Sequence, residues 1–171
     1  RYFCLSRGLG DVYKRQIGRF ADIEDLARRY KVRANIEIHH ETMCPSASSM
    51  YRLVANFDPQ CIGVIYDPGN MIHEGYENWQ MGLELLGSYL AHVHVKNARW
   101  EFSSLKGEVE KWRPVMCGLG EGFVDWREVL LALRKVNYEG WLSFEDFSKG
   151  NTITKLRSNL EYMKDLERSL V

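Results

Sequence analysis

The sequence has no excess of charge of either sign and no long apolar run. Lysine and arginine together number 23, as do aspartate and glutamate, so no basic surface favours nucleic acid or an anionic membrane. No stretch approaches the roughly 20 consecutive apolar residues that span a bilayer. These absences predict a protein with neither nucleic-acid nor membrane partners.

Cysteine is scarce and scattered. The four cysteines, Cys4, Cys44, Cys61 and Cys117, lack the spacing of a metal-binding motif or a disulfide framework. Free thiols are typical of a reducing compartment. The N-terminal residues also lack the basic, apolar and small-residue order of a secretory signal. We therefore expect free thiols and a cytoplasmic location.

The N-terminal segment does not share the pattern of the rest of the chain. Residues 1–16 show no amphipathic period, and their stretch RGLGDVYKRQ resembles a translated sequencing-adapter read-through. We therefore expect residues 1–16 to be an artefactual segment and residues 17–171 to form one partial domain. On that interpretation the chain is also truncated.

From Ile17 onward, apolar strand patterns alternate with amphipathic helix patterns. Strands are predicted at 33–39, 61–66, 90–96 and 140–144, helices at 22–30, 46–57, 76–89, from 125 and at 155–170, and a long loop at 98–122. Strict alternation of this kind predicts a parallel sheet with helical crossovers. No glycine-rich phosphate fingerprint follows a strand, which disfavours a nucleotide-binding doubly wound sheet. Four βα units are half of an eight-stranded barrel.

Each predicted strand carries a potential metal ligand at or near its carboxyl end. These ligands are Glu37, Asp67, His94 and Glu145. Because the strands of a parallel barrel point the same way, their carboxyl ends meet at one mouth, where barrel active sites lie. Three carboxylates and one imidazole suit Mn²⁺ or Mg²⁺, and less specifically Co²⁺ or Zn²⁺. The sequence therefore predicts one divalent metal ion at this mouth.

Such an ion would leave room for a substrate. A cation that prefers about six ligands keeps two positions open when the protein supplies four. A hydroxy-carbonyl fragment of a sugar could fill both, and the ion would polarise the carbonyl and stabilise an enediolate. Proton removal next to a carbonyl needs a base, and reprotonation needs an acid. We expect Glu37 and Glu145 to serve as these catalytic residues as well as ligands.

Simpler interpretations stay open for individual residues. Glu37 could pair with a buried lysine or arginine, and Asp67 could only cap a turn. His92 shares a strand face with His94 but lies deeper, so we expect it to be a hydrogen-bonded core histidine. Asp146 should face away from the predicted mouth, at the surface or in a salt bridge.

Five stretches in order resemble the xylose-isomerase-like barrel superfamily of sugar-phosphate isomerases and epimerases. They are Ile36-Glu-Ile-His, Tyr66-Asp-Pro-Gly-Asn, His92-Val-His-Val-Lys-Asn, Gly120-Glu-Gly-Phe-Val-Asp-Trp and Trp141-Leu-Ser-Phe-Glu. The resemblance implies an α/β fold, the C-terminal portion (about four βα units) of a (β/α)8 TIM barrel. It also implies that Glu37, Asp67, His94 and Glu145 are metal ligands, and that the two glutamates move protons through a cis-enediol.

The resemblance narrows the activity only in part. Ketose 3-epimerases of this superfamily have a substrate-binding histidine three residues after the ligand aspartate, where this sequence has Asn70. They also have an arginine shortly after the ligand histidine, for which Arg99 is a candidate. Lys96-Asn97 and Gly140-Trp-Leu are more similar to inosose dehydratase-like members. We expect Asn70, Lys96 and Arg99 to bind substrate.

The main functional prediction is therefore a divalent-metal-dependent isomerase or epimerase that acts on a small sugar, sugar phosphate or cyclitol. An inosose dehydratase-like lyase with the same metal is the first alternative. The second is an apurinic-site endonuclease-like DNA repair enzyme, which would bind three zinc ions through further histidines. Asn70 and the lack of a basic face count against it. A homo-oligomer is left open, and half a barrel with two exposed sheet edges is not expected to be active alone.

Overall fold

The computed structural model of the chain describes residues 3–106 and 109–170, and the side chains of residues 12–103 and 111–170. In chain order the elements are α1 (Phe3–Tyr30), β1 (Ala34–Glu37), α2 (Ala47–Val54), β2 (Ile62–Tyr66), α3 (Pro68–Glu74), α4 (Trp79–Leu86), a 3₁₀ turn (Gly87–Tyr89), β3 (Leu90–Val95), β4 (Asn97–Lys106), β5 (Val109–Cys117), α5 (Trp126–Lys135), β6 (Leu142–Phe144) and α6 (Thr152–Arg168). None of the described helices combines the length and apolarity needed to cross a membrane.

Four of the strands form one parallel sheet in the order β1-β2-β3-β6. The pairing of β1 with β2 runs in parallel from Ala34–Ile62 to Glu37–Ile65, and β3 pairs in parallel with β6. The prediction of an α/β fold with four parallel strands and helical crossovers is confirmed. All four carboxyl ends consequently lie at the same edge of the sheet.

One face of this sheet packs against helices. Val64, Tyr66, Val93 and Val95 are fully buried on that face. Burying a side chain of this size is worth about 1.5–3 kcal/mol. The intervening residues of β3, His92 and His94, are half-buried and point to the opposite face. The alternation along the strands therefore separates a structural face from a chemical one.

Helices α2 and α5 show why the crossovers form where they do. Ser46 caps α2 in a reciprocal capping box with Ser49, as its position before an apolar-periodic segment predicted. Asp125 caps α5 by accepting from two backbone N–H groups. Residues at helical spacing are then buried in the core, among them Met50 and Val54 of α2 and Trp126 and Val129 of α5.

The first helix is longer than predicted. Helix α1 begins at Phe3 and not at Asp22, so the acidic residues expected in its first turn lie in its interior. Residues 3–16 contain no proline, and a helix once nucleated propagates by one hydrogen bond per added residue. Whether residues 1–16 are artefactual stays a prediction.

The prediction of a long loop at 98–122 is wrong. Strands β4 and β5 form an antiparallel hairpin in which Phe102 pairs with Trp112. Their ring centroids lie 5.8 Å apart, a contact that stabilises cross-strand pairs. The sequence signal was the alternation of charged and aromatic residues from Arg99 to Phe102.

Two helix boundaries near the sheet edge also differ from the prediction. A turn was expected after Tyr66, but Asp67 caps the short helix α3, with Pro68 in its first turn. Proline suits that position because the first helical N–H groups have no partner within the helix. The helix predicted at 76–89 is divided into α4, which begins at Trp79, and the 3₁₀ turn.

Candidate metal centre

All four predicted ligands converge at the carboxyl edge of the sheet. Glu37 ends β1, Asp67 follows β2, His94 lies on β3 and Glu145 follows β6, and one ligand atom from each lies within 4.8 Å of the others. His94 Nδ1 lies 3.1 Å from Glu37 Oε1 and 3.3 Å from both Asp67 Oδ2 and Glu145 Oε2. Over the side chains that the structure describes, no second group of this kind occurs. We call these four residues the quartet.

Asp67 divides its two oxygens between structure and the quartet. Its side chain is fully buried, and Oδ1 accepts a hydrogen bond of 2.8 Å from the backbone N–H of Asn70. Oδ2 points to His94 and Lys96. Asp67 therefore caps a helix, where the simpler interpretation expected only a turn, and still offers one oxygen to a cation.

Lys96 places an ammonium group among the carboxylates. Its side chain is 3% exposed, and Nζ lies 2.8 Å from Asp67 Oδ2 and 3.6 Å from Glu37 Oε1, and pairs with Glu145 Oε2. These are the same three oxygens that His94 Nδ1 contacts. A Cβ on Gly69 would lie 2.5 Å from Lys96 Cγ, so only glycine lets the lysine pass so close to α3.

The carboxylates favour the protonated forms of both cationic side chains. Burial opposes the charge of Lys96, but Asp67 and Glu145 outweigh it and raise the pKa of the ammonium. The hydrogen bond that His94 Nδ1 donates to Asp67 raises the pKa of His94, against the opposing effect of burial, and the charges of all three carboxylates add to the rise.

The donor set fits a divalent cation. Three carboxylate oxygens already surround a positive group, Lys96 Nζ, so the geometry can enclose a cation. Oxygen ligands with a single imidazole suit Mn²⁺ and Mg²⁺ and permit Co²⁺ or Zn²⁺. Glu37, Asp67, His94 and Glu145 are therefore the residues that could hold such an ion.

Of the three residues predicted to bind substrate, two contact the quartet. Lys96 Nζ contacts its three carboxylates, and Asn70 is fully buried with its amide against Glu37. Arg99 pairs with two carboxylates outside the quartet, Glu101 at 2.7 Å and Glu121 at 3.1 Å. It lines a separate cleft of about 520 Å³. Substrate binding by these three residues stays a prediction.

Two neighbours of the quartet were assigned structural roles. His92 Nε2 lies 2.8 Å from the Ser143 hydroxyl, so the predicted hydrogen bond is confirmed, but the predicted core position is wrong because the ring is only half-buried. Asp146 pairs with Lys155 at 3.4 Å and accepts a hydrogen bond from Asn159, which confirms the expected salt bridge.

A stack of three histidines beside the quartet was not predicted. The rings of His39 and His40 lie 4.3 Å apart, and those of His40 and His73 lie 4.0 Å apart. His40 Nδ1 is 3.2 Å from Asn70 Oδ1. The available signal was the spacing of Asn70 and His73, which puts both on one face of α3.

We predict that His73 lowers the stability of the chain in mild acid. Burial, helped by His40 and Lys96, lowers the pKa of His73 to about 4. Between about pH 6.5 and about pH 4 the unfolded chain therefore binds a proton at this residue that the folded chain does not bind. The free energy of unfolding consequently decreases as the pH is lowered through this window. In His73→Phe, which keeps an aromatic ring on His40, the loss of unfolding free energy between about pH 7 and about pH 4.5 should be smaller. Urea unfolding at the two pH values measures it, and an unchanged loss would contradict the prediction.

Comparison with known proteins places the chain in a TIM barrel family. Residues 5–166 match the xylose isomerase-like TIM barrel family. An inosose dehydratase from Geobacillus thermodenitrificans is 30% identical over 123 residues, which cover 65% of this chain and 40% of the relative. A second, from Bacillus licheniformis, is 29% identical over 154 residues, which cover 86% of this chain and 51% of the relative.

A solved structure agrees on the fold. A xylose isomerase-like TIM barrel protein from Mycobacterium smegmatis, in complex with magnesium, superposes with a TM-score of 0.68 at 19% identity, over 91% of this chain and 50% of the other. The chain thus spans about half the length of the proteins it matches.

Proposed function

The chain belongs to the xylose isomerase-like TIM barrel family, and from that premise we propose that it is the metal-binding part of a divalent-metal-dependent enzyme acting on a small hydroxyketone of the sugar or cyclitol type. The observation that carries the proposal is the convergence of Glu37, Asp67, His94 and Glu145 within 4.8 Å at the carboxyl edge of the sheet. Barrel enzymes place their active sites at this edge.

The ion would be Mn²⁺ or Mg²⁺ by preference, with Co²⁺ or Zn²⁺ as alternatives. When bound, it would polarise the substrate carbonyl and stabilise the negative charge that develops on its oxygen. Asp67 and His94 would hold it, and Asp67 also caps α3. Lys96, whose Nζ reaches three quartet carboxylates, balances part of their charge.

The two glutamates supply the proton transfers. Glu37 ends β1, and Glu145 follows β6. These are the outer strands of the sheet, so the two carboxylates approach the centre from opposite sides. One removes the proton from the carbon next to the carbonyl, which leaves an enediolate. The other, in its protonated form, then acts as the acid for the second step.

We favour loss of water as that second step. The hydroxyl on the next carbon takes a proton from the acid and leaves as water, and the electron pair of the enediolate forms the new carbon–carbon double bond. The support for this choice is that two inosose dehydratases are among the sequence relatives. The substrate would then be an inosose-like cyclitol.

Isomerisation or epimerisation is the second candidate. It needs only that the enediolate is reprotonated at carbon, and the opposite placement of Glu37 and Glu145 favours delivery from either face. An apurinic-site endonuclease would need further metal ligands, and the described side chains form one such group. We further propose a cytoplasmic enzyme with a small-molecule substrate and no nucleic-acid partner. Strands β1 and β6 are the two edges of the sheet, and an edge strand can pair with a second copy of the chain.

The test is turnover in D₂O by the protein, supplied with Mn²⁺ and either an inosose or a panel of ketoses. We expect enone absorbance from the inosose, and its loss in Glu145→Gln. Deuterium incorporation into a ketose without enone absorbance would favour the isomerase instead. Neither signal, or full turnover in Glu145→Gln, would contradict the proposal.

A further inference from the structure

Every polar atom of the Asn70 side chain has a partner, although the side chain is fully buried. Nδ2 lies 3.1 Å from Glu37 Oε1 and 3.1 Å from the carbonyl oxygen of Ile38. Oδ1 lies 3.2 Å from His40 Nδ1. The Asn70 amide thus connects the end of β1 to the loop that follows it.

These contacts fix which end of the amide is which. The Ile38 carbonyl can only accept a hydrogen bond, so the amide group beside it must be the NH₂ of Asn70. Its two hydrogens are then used by Glu37 and Ile38, and Oδ1 must face His40. Because Oδ1 can only accept, His40 Nδ1 must carry a hydrogen. The neutral His40 ring therefore has its lone pair on Nε2.

The same residue also orients a second member of the quartet. Its backbone N–H donates to Asp67 Oδ1 at 2.8 Å, which leaves Asp67 Oδ2 directed at the centre. Its side chain donates to Glu37 Oε1, the oxygen that faces His94 Nδ1 and Lys96 Nζ. A glutamate side chain has several rotatable bonds, and a fixed donor limits the conformations it samples.

We propose that Asn70 is a positioning residue that sets the Glu37 carboxylate in the quartet and holds His40 as the Nδ1–H tautomer. The positioning of Glu37 rests on the proposed metal site. The tautomer of His40 rests only on the hydrogen-bond contacts described above. It gives Asn70 a role through Glu37 in place of the predicted contact with substrate, because its amide has no hydrogen left to donate.

The experiment combines two measurements on the 171-residue chain. Mn²⁺ affinity is measured by calorimetry, and the His40 tautomer by ¹⁵N imidazole NMR in the metal-free chain. The variants are Asn70→Leu, which removes the amide at similar volume, and Asn70→Asp, which keeps an acceptor for His40. The control is Asn159→Leu, since Asn159 is also buried and donates to a carboxylate outside the quartet, Asp146 Oδ2, at 2.8 Å.

We expect Asn70→Leu to bind Mn²⁺ about tenfold or more weakly, as is typical when the hydrogen-bond partner of a metal ligand is removed. His40 should be Nδ1–H in the wild type and in Asn70→Asp, and mainly Nε2–H in Asn70→Leu. Asn159→Leu should keep both the affinity and the tautomer. Thermal unfolding followed by circular dichroism shows that each variant is folded.

Two results would overturn the inference. One is an Nε2–H tautomer at His40 in the wild-type chain, and the other is wild-type Mn²⁺ affinity in Asn70→Leu. If the wild type itself binds no Mn²⁺, the proposed metal site fails, and the tautomer of His40 still decides whether Asn70 holds it.

Discussion

Asparagine in place of Asp67 should weaken Mn²⁺ binding by more than about 100-fold, beyond the effect usual for residues that only support a ligand. In the wild type the backbone N–H of Asn70 donates to Asp67 Oδ1 at 2.8 Å. The Oδ1 of the introduced asparagine can still accept this hydrogen bond and cap α3. The oxygen lost is Oδ2, which faces His94 and Lys96, and the NH₂ that replaces it presents hydrogens and no lone pair to a cation. Calorimetric titration of both chains with Mn²⁺ measures the difference.

The matched control is Asp125→Asn. Asp125 caps α5 by accepting from the backbone N–H groups of Arg127 at 2.9 Å and Glu128 at 3.1 Å, much as Asp67 caps α3. Its substitution should leave Mn²⁺ affinity unchanged. Should Asp67→Asn retain an affinity near that of the wild type, Asp67 is only a helix cap and the simpler interpretation of its position is correct.

Methionine in place of Lys96 should cost the metal-free chain about 3 kcal/mol of unfolding free energy, the lower end of the range for breaking a buried ion pair. The lower end applies because Asp67 is fully buried but Glu37 and Glu145 are 29% and 31% exposed. Mn²⁺ should recover most of the loss, since it supplies positive charge to the same three oxygens. Urea unfolding with and without Mn²⁺ measures both effects.

Lys155→Met is the control for this second prediction. Lys155 pairs with Asp146 at 3.4 Å and is 16% exposed, but Asp146 lies outside the quartet. This variant should be destabilised without any gain from Mn²⁺ beyond that of the wild type. Equal stabilisation of Lys96→Met and Lys155→Met by Mn²⁺ would mean that Lys96 and the ion do not share ligands.

The quartet could be predicted because the topology of a parallel sheet is enough to bring its four residues together. Each ligand stands at the end of an apolar strand pattern, and parallel strands bring their carboxyl ends to one edge whatever the details of packing. The parallel pairs His94–Ser143 and Glu37–Ile65 show that the observed register agrees with this expectation. The four-stranded sheet and its buried face could be predicted for the same reason.

The contacts around the quartet could not be predicted in the same way. The position of Lys96 depends on the conformation of a long side chain and on the space left by Gly69, which a strand pattern does not contain. The stacking of His40 on His73 depends on how α3 packs beside the end of β1. The hairpin was missed because its strands pair with each other and not with the parallel sheet.

The content of Mn²⁺ per chain, measured by elemental analysis after removal of free metal, tests the central claim most directly. The quartet predicts one ion per chain in the wild type and none in Asp67→Asn, because Glu37, Asp67, His94 and Glu145 form a single centre. No ion in the wild type, or as many as three per chain, would contradict it.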